Sequence, residues 1–174
     1  MDLMIDIETL GTSIGSVILT IGAVRFDRGS DVEYESFYKK ISVDSCKRMG
    51  MSVDQSTVDW WEKQSEVVRN EAFYSEPREE LKSVLVELSL FIKRTGVTFI
   101  WAQGPTFDVC MLEDAYKRCG LLPPWKFWNV RDTRTVYDLF KIKLESDAEA
   151  HNALADCKRQ IKGVRTALKT NFRV

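Results

Sequence analysis

LMIDIETLG, residues Leu3–Gly11, decides the reading of this chain. Its alternation of apolar and polar residues is that of a β-strand, and Asp6 and Glu8 then project to one face, because side chains on a strand alternate with period two. Two carboxylates side by side on an apolar sheet repel each other and resist desolvation, so the arrangement is costly unless cations hold it together. The other end of the chain supplies a complement. In AHNALADCK, residues 150–158, the single histidine, His151, lies five residues before Asp156. An Asp-x-Glu strand and a His-x4-Asp segment together suggest a carboxylate metal site with its own base.

Working outward from the first strand, VILTIGAVRFD (17–27) is apolar on both faces, as a central strand should be, and VEYESFYKKI (32–41) alternates as an edge strand would. Short joints between the three suit an antiparallel meander. Residues 42–74 read as broken helix. SEPREE (75–80) predicts the start of a long helix, with Pro77 in its first turn, Glu79 and Glu80 at the positive end of its dipole, and Leu81, Val84, Leu85, Leu88, Phe91 and Ile92 as its buried stripe up to Thr95-Gly96. TFIWAQG (98–104) reads as a fourth strand. Thr106 is placed to cap a helix running to Cys119, FWNVR (127–131) reads as a fifth strand, and Asp132 caps a short helix through Phe140. KIKLESDAEA (141–150) reads as a mobile loop. Asn152 caps a last helix whose stripe is Leu154, Cys157, Ile161, Val164 and Leu168. The expected fold is α/β: a mixed five-stranded sheet, three antiparallel strands then two parallel, flanked by helices, in a single domain over residues 1–174.

Composition narrows the class. With 174 residues, 44% hydrophobic content and a net charge of -1, the chain is neither a disordered tail nor a broadly basic nucleic-acid coat. An anionic substrate must be met locally, by a patch or by metal. The cysteines Cys46, Cys110, Cys119 and Cys157 form no C-x-x-C pair, which argues against zinc and for a reducing, cytoplasmic compartment. The first residues lack the pattern of a signal peptide, and no apolar run of about 18 residues exists to span a membrane.

The candidate chemistry rests on five residues. Asp108 falls in the first turn of its helix, where backbone N–H groups favour a carboxylate over its acid, and Asp156 falls in the first turn of the last helix. Asp6, Glu8, Asp108 and Asp156 can hold two divalent ions, and oxygen ligands suit Mg²⁺, with Mn²⁺ as substitute, better than Zn²⁺. Two such ions clamp a phosphodiester and activate a water, whose proton an imidazole at His151 can take. Taken singly, each piece is unspecific: Asp-x-Glu recurs by accident, and an aspartate in a first helical turn usually serves its own helix. Order, spacing and element type together are specific.

These segments resemble the three exonuclease motifs of the DEDDh 3'-to-5' exonucleases: DIETLG, TFD at 106–108, and HNALAD. The resemblance covers residues 2–168 and implies a ribonuclease H-like fold, with Asp6, Glu8, Asp108 and Asp156 as metal ligands and His151 as general base. Many members carry a His-Asn pair shortly before the second-motif aspartate; here Gln103 and Gly104 stand there. With WAQGPTFD, STVDWWEKQS and RDTRTVYDL, the chain looks closer to a branch of small phage and bacterial enzymes that includes exoribonuclease-like members and a T-even phage exonuclease acting on DNA.

The resemblance implies that the 3' end of single-stranded RNA or DNA is the partner and that Thr9, Leu10 and Gly11 hold the terminal nucleotide, with Leu10 wedged against the base. A plain turn after a strand accounts for Gly11 equally well. Trp60 and Trp61 point about 100° apart on a helix, so one enters the core while the other is free to stack a base. Trp60 and Gln64 are expected to share the cleft-facing side, and Phe107 either flanks the cleft or joins the core. Lys158, Arg159, Lys162, Arg165, Lys169 and Arg173 make the last helix basic, as a solvated face or a phosphate track. The expected activity is a metal-dependent 3'-to-5' exonuclease releasing nucleoside 5'-monophosphates. Rival readings are a DNA-specific trimming or proofreading enzyme, a silent nucleic-acid-binding domain on the same fold, and a phosphatase for small nucleotides. The oligomeric state stays open, a homodimer included.

Overall fold

The computed structural model describes residues 1–32, 34–144 and 151–171, with side chains to residue 169. Three antiparallel strands, β1 (Asp2–Thr9), β2 (Ile18–Phe26) and β3 (Ser36–Lys40), are followed by β4 (Phe99–Ala102) and β5 (Val130–Asp132), both parallel to β1, in the order β3-β2-β1-β4-β5. Every residue of β2 except Arg25 is buried, as its unbroken apolar run predicts.

The alternation of β1 divides the core. Leu3, Ile5 and Ile7 face the helices α1 (Val43–Arg48), α2 (Gln55–Glu62), α4 (Leu81–Thr95) and α5 (Asp108–Arg118), and join a large cluster with Trp61, Leu85, Leu88 and Leu112. Met4 packs on the opposite face with Trp101, Tyr137, Cys157, Ile161 and Val164, under α6 (Thr133–Phe140) and α7 (Ala153–Asn171). Asp6 and Glu8 continue the Met4 row. They therefore emerge on the α7 face, at the end of the strand where apolar packing stops.

Several elements start elsewhere than the sequence suggests. The long helix begins at Leu81, not in SEPREE, because the backbone of Glu79 is engaged with the end of β3: its N–H donates to Lys40 O (2.9 Å) and its carbonyl accepts from Ser42 N (2.9 Å). Glu80 gives no side-chain cap; Leu81 N–H donates instead to the Ser45 hydroxyl at 3.0 Å. Thr106 does not cap α5, whose N-cap is Phe107 after a turn in which Phe107 N bonds Gly104 O at 2.8 Å. The expected fifth strand shrinks to Val130–Asp132, because Phe127–Asn129 form a 3₁₀ turn. Asp132 and Asn152 cap α6 and α7 as read. The loop expected to be mobile falls largely outside the described residues, at 145–150.

Between the Asp54-capped α2 and α4, α3 (Glu66–Arg69) runs into a π-helical turn, Asn70–Tyr74. The guanidinium of Arg78 donates to the carbonyls of Leu19, Ile41, Ala72 and Phe73, tying this turn to the sheet. Among the described residues no helix is long and apolar enough to cross a membrane, and the four cysteines are free thiols.

One contact positions α7. Gly22 on β2 pairs with Asp6 on β1, and a Cβ at Gly22 would lie 2.5 Å from the backbone carbon and oxygen of Ala153. The absent side chain lets the first turn of α7 rest on the strand beside Asp6. Gly22→Ala should push that turn off the sheet, costing about 1–3 kcal/mol of stability and weakening Mg²⁺ binding. Chemical denaturation and metal titration check this, and wild-type values for both would contradict the assigned contact.

Candidate active site

Three elements deliver the four acidic groups. Asp6 and Glu8 come from β1, Asp108 from the first residue of α5, and Asp156 from the first turn of α7. They line one cavity of about 210 Å³ with Ile7, Gln103, Phe107, Arg134, His151, Arg159 and Gln160. Carboxylate oxygens of Asp6, Glu8 and Asp156 lie within 4.8 Å of one another, a spacing a shared cation can span. Asp108 stands beside them, with its Oδ1 accepting the N–H of Ile7 at 3.3 Å. That N–H is available because β4 pairs with β1 only as far as Met4. The five candidates therefore meet, although they come from three separate parts of the sequence.

Electrostatics mark the cluster as one built for cations. Burial, then the neighbouring Asp108, Glu8 and Asp156, push the Asp6 carboxyl well above the usual carboxylate range, against a hydrogen bond from Gln160. Burial with the charges of Asp156 and Asp108 raises Glu8 to about 8. Asp108 was expected to be held as a carboxylate by its helix; instead burial dominates and lifts it to about 7, although the N–H groups of Ile7 and Asp108 and the charge of Arg134 oppose the rise. An apolar site without cations would not gather such groups, so the donor set fits hard divalent metal ions.

His151 is held from both its backbone and its ring. It adopts φ 71°, a left-handed conformation unusual for a residue with a Cβ, and its N–H donates to Asp156 Oδ2 at 3.0 Å. Its ring meets Trp60 edge to face at 4.7 Å between centroids and lies 6.2 Å from Trp61. Trp61 is buried, and its Nε1 donates to Thr9 O at 2.9 Å, while Trp60 is 40% exposed. Asn152, next in sequence, donates to the Tyr38 hydroxyl at 3.4 Å, and that hydroxyl donates to Glu71 at 2.8 Å.

The expected substrate contacts divide. Thr9, Trp60, Trp61 and Phe107, with Thr12, Ser56 and Thr57, line a second cavity of about 410 Å³ that shares Ile7, Glu8 and Phe107 with the first. Leu10 is instead buried in the core cluster, and Gly11 sits in a closely packed segment where a Cβ would lie 2.3 Å from Ser16 Oγ; neither lines these two cavities. Gln64 does not share a helical face with Trp60, because α2 ends at Glu62 and the Gln64 amide folds back to Trp60 O at 3.0 Å. Arg173 of the expected basic face lies outside the described residues, and several of the others are committed. Arg159 pairs with Asp156, Lys169 with Asp31, and Arg165 donates to the carbonyls of Asp27 and Val32.

Sequence reading missed Gln160 and Arg134, and took Arg159 only as part of the basic face of the last helix. Gln160 is buried, its Nε2 donates to Asp6 Oδ1 at 2.7 Å, and its Oε1 has no partner among the described residues. It lies four residues after Asp156, on the same helical face, which was the available signal.

The raised carboxyls set a pH dependence. Each prefers its acid form in the fold more than in the unfolded chain, so its stabilisation is complete below the ordinary carboxylate range and lost as pH rises through the folded values. For Glu8 that window runs from 4.5 to about 8 and for Asp108 from 3.8 to about 7. The metal-free protein should therefore lose thermal stability from about pH 4.5 to 8, and Mg²⁺ should restore it at the upper end. Asp6→Asn should flatten the metal-free slope and raise Tm at pH 8. Scanning calorimetry with and without Mg²⁺ decides it: parallel slopes for wild type and variant would contradict the coupling.

Known proteins share this architecture. Residues 1–168 match the model of the 3'-5' exoribonuclease Rv2179c-like domain. The exodeoxyribonuclease of Enterobacteria phage T4 is 25% identical over 202 residues, covering 97% of this chain and 89% of that protein. Among solved structures, the E. coli ExoI–ssDNA complex superposes with a TM-score of 0.67 at 16% identity; it takes in 99% of this chain, which spans 41% of that longer one. The nuclease domain of 3'hExo, a DEDDh family member bound to rAMP, superposes with a TM-score of 0.63 at 11% identity, over 98% of this chain and 92% of that one. The structural likenesses establish the ribonuclease H-like fold, and the family match, which takes in all three acidic motifs, establishes that this chain belongs to the 3'-5' exoribonuclease Rv2179c-like domain family of DEDDh exonucleases.

Proposed function

We propose that this chain removes nucleoside 5'-monophosphates from the 3' end of single-stranded nucleic acid, with Asp6, Glu8, Asp108 and Asp156 holding two Mg²⁺ ions and His151 as general base. The observation that carries this reading is the convergence of Asp6, Glu8 and Asp156 oxygens within 4.8 Å, in a cavity that His151 also lines. When bound, the ions would supply Lewis-acid polarisation of the phosphodiester and activation of a water, as in two-metal phosphodiester chemistry; Mn²⁺ should substitute.

The protein's own groups do the rest. Asp6 is oriented by the Gln160 amide, and Asp108 by the Ile7 N–H. His151 has its backbone anchored on Asp156 and its ring walled by Trp60, and as it lines the cavity that the carboxylates share, its imidazole is our candidate to take a proton from the attacking water. The adjoining cavity has the size and character for a terminal nucleoside. Trp60 and Phe107 offer aromatic faces to a base, and the hydroxyls of Thr12, Ser56 and Thr57 offer polar contacts to the sugar. An RNA substrate is supported by the description of the matched family, a DNA substrate by the phage T4 relative. Matched RNA and DNA oligomers labelled at the 5' end, digested with Mg²⁺, separate the two by rate. The same digestion tests the silent-domain reading, and release of inorganic phosphate would favour a phosphatase.

Polarity is the direct test of the activity. A 3'-phosphate should block digestion and a 5'-phosphate should not. Internal products from a circular strand would contradict an exonuclease.

His151→Ala should lower turnover by about 10²–10⁴-fold while leaving oligomer affinity, measured with Ca²⁺, close to wild type. Undiminished turnover would remove His151 from the chemistry and leave it the role of holding the start of α7.

A further inference from the structure

We infer that Arg134 is a substrate-binding residue whose guanidinium takes the scissile phosphate, in a seat that exists because residue 104 has no side chain. The inference rests on the exonuclease reading above and adds to it a contact that the acidic motifs do not contain. Two arginines line the acidic cavity, Arg134 and Arg159. Arg159 is spent on Asp156, with which it forms an ion pair. Arg134, in the first turn of α6, is exposed and makes no side-chain hydrogen bond or ion pair among the described residues. It is nevertheless close enough for its charge to act on Asp108. An arginine beside four carboxylates would ordinarily be drawn into a bidentate pair with one of them. Here the guanidinium keeps its donors, on a residue that lines the cavity.

The seat is local. A Cβ built on Gly104 would lie 3.1 Å from Nη1 of Arg134 and 3.4 Å from its guanidinium carbon, so the group lies directly over the Gly104 backbone. Gly104 also has φ 101°, a conformation that residues with a Cβ rarely adopt. A larger residue at this position would both strain the turn before α5 and push the guanidinium aside. Gly104 and Arg134 thus form one device, assembled from the loop after β4 and the start of α6.

Charge explains why the device suits this reaction. Four carboxylates and two divalent cations are together close to neutral, so a phosphodiester entering the cavity is left with its own negative charge. A guanidinium presents a planar fork that matches two phosphate oxygens, and it remains charged at any working pH. In cleavage from the 3' end the P–O3' bond breaks, water supplies the new oxygen on phosphorus, and the phosphate leaves on the 5' carbon of the released nucleotide. A contact to the scissile phosphate is therefore kept in the product and can be measured without turnover.

The experiment is calorimetric binding of AMP, CMP, GMP and UMP, each beside its nucleoside, to the Mg²⁺-loaded protein. Arg134→Gln should weaken monophosphate binding by about 10–100-fold, the range of a charged hydrogen-bonded contact, and leave nucleoside binding unchanged. Arg134→Lys should recover part of the loss. Gly104→Ala, checked for folding by its thermal transition, should weaken monophosphates while retaining Arg134. Three results overturn the inference: equal affinity of folded Arg134→Gln and wild type for the monophosphates, parallel losses for monophosphates and nucleosides, or a wild type that gains nothing from the phosphate. Oligomer digestion by the wild type, run alongside, judges the exonuclease reading separately, so the two can fail independently.

Discussion

The approach of α7 to β2 at Gly22 is the contact on which the site depends. Asp6 and Glu8 are placed by β1, and they would face solvent at the sheet's end if nothing covered them. α7 covers them, and it does so at backbone contact distance because its first turn meets a glycine. The same turn carries Asp156, and His151 and Asn152 just before it. Cys157 fixes the depth of the docking, since its thiol lies 3.4 Å from Gly22 O and 3.6 Å from Met4 O in the core beneath. A strand thus becomes a site through close packing, and the packing is set by the one residue type that leaves room for it.

This architecture concentrates negative charge where water is scarce. The fold opposes the repulsion with modest means: the Gln160 amide on Asp6, the Ile7 N–H on Asp108 and the Arg159 guanidinium on Asp156. These are enough to orient the groups, yet they leave Glu8 and Asp108 with carboxyls raised to about 8 and about 7. The metal-free site is accordingly poised near neutrality, and a cation completes it at the pH where repulsion is greatest.

A second chain of contacts supports His151 from the far side of the sheet. Arg78 gathers the carbonyls that end the π-helical turn, and that turn presents Phe73, whose ring meets Trp61 at 5.4 Å. Trp61 backs Trp60 at 5.1 Å, and Trp60 walls the imidazole. The irregular segment between α2 and α4 therefore serves the site, although none of its residues is a motif residue.

What the sequence determined by itself was local or periodic. The apolar run of β2, the alternation of β1, the stripe of α4 and the caps Asp132 and Asn152 each depend on neighbours a few residues away, and each was legible. So were the five acidic and imidazole groups, because their order and element types are themselves a sequence pattern. Tertiary structure decided whatever depends on partners far along the chain. α4 starts at Leu81 because its first N–H finds the Ser45 hydroxyl and because Glu79 is taken by β3. Asp108 accepts from Ile7, 101 residues away, as well as from its own N–H at the start of α5. Leu10, expected at the nucleotide, turns into the core, while Trp60 keeps an exposed side on the second cavity and also meets the His151 ring. Arg134 and Gln160 belong to the cavity only because α6 and α7 pack on the same face of the sheet. Spacing predicts what a segment does to its neighbours, whereas desolvation and close packing, which decide the site, arise only when distant segments exclude water together.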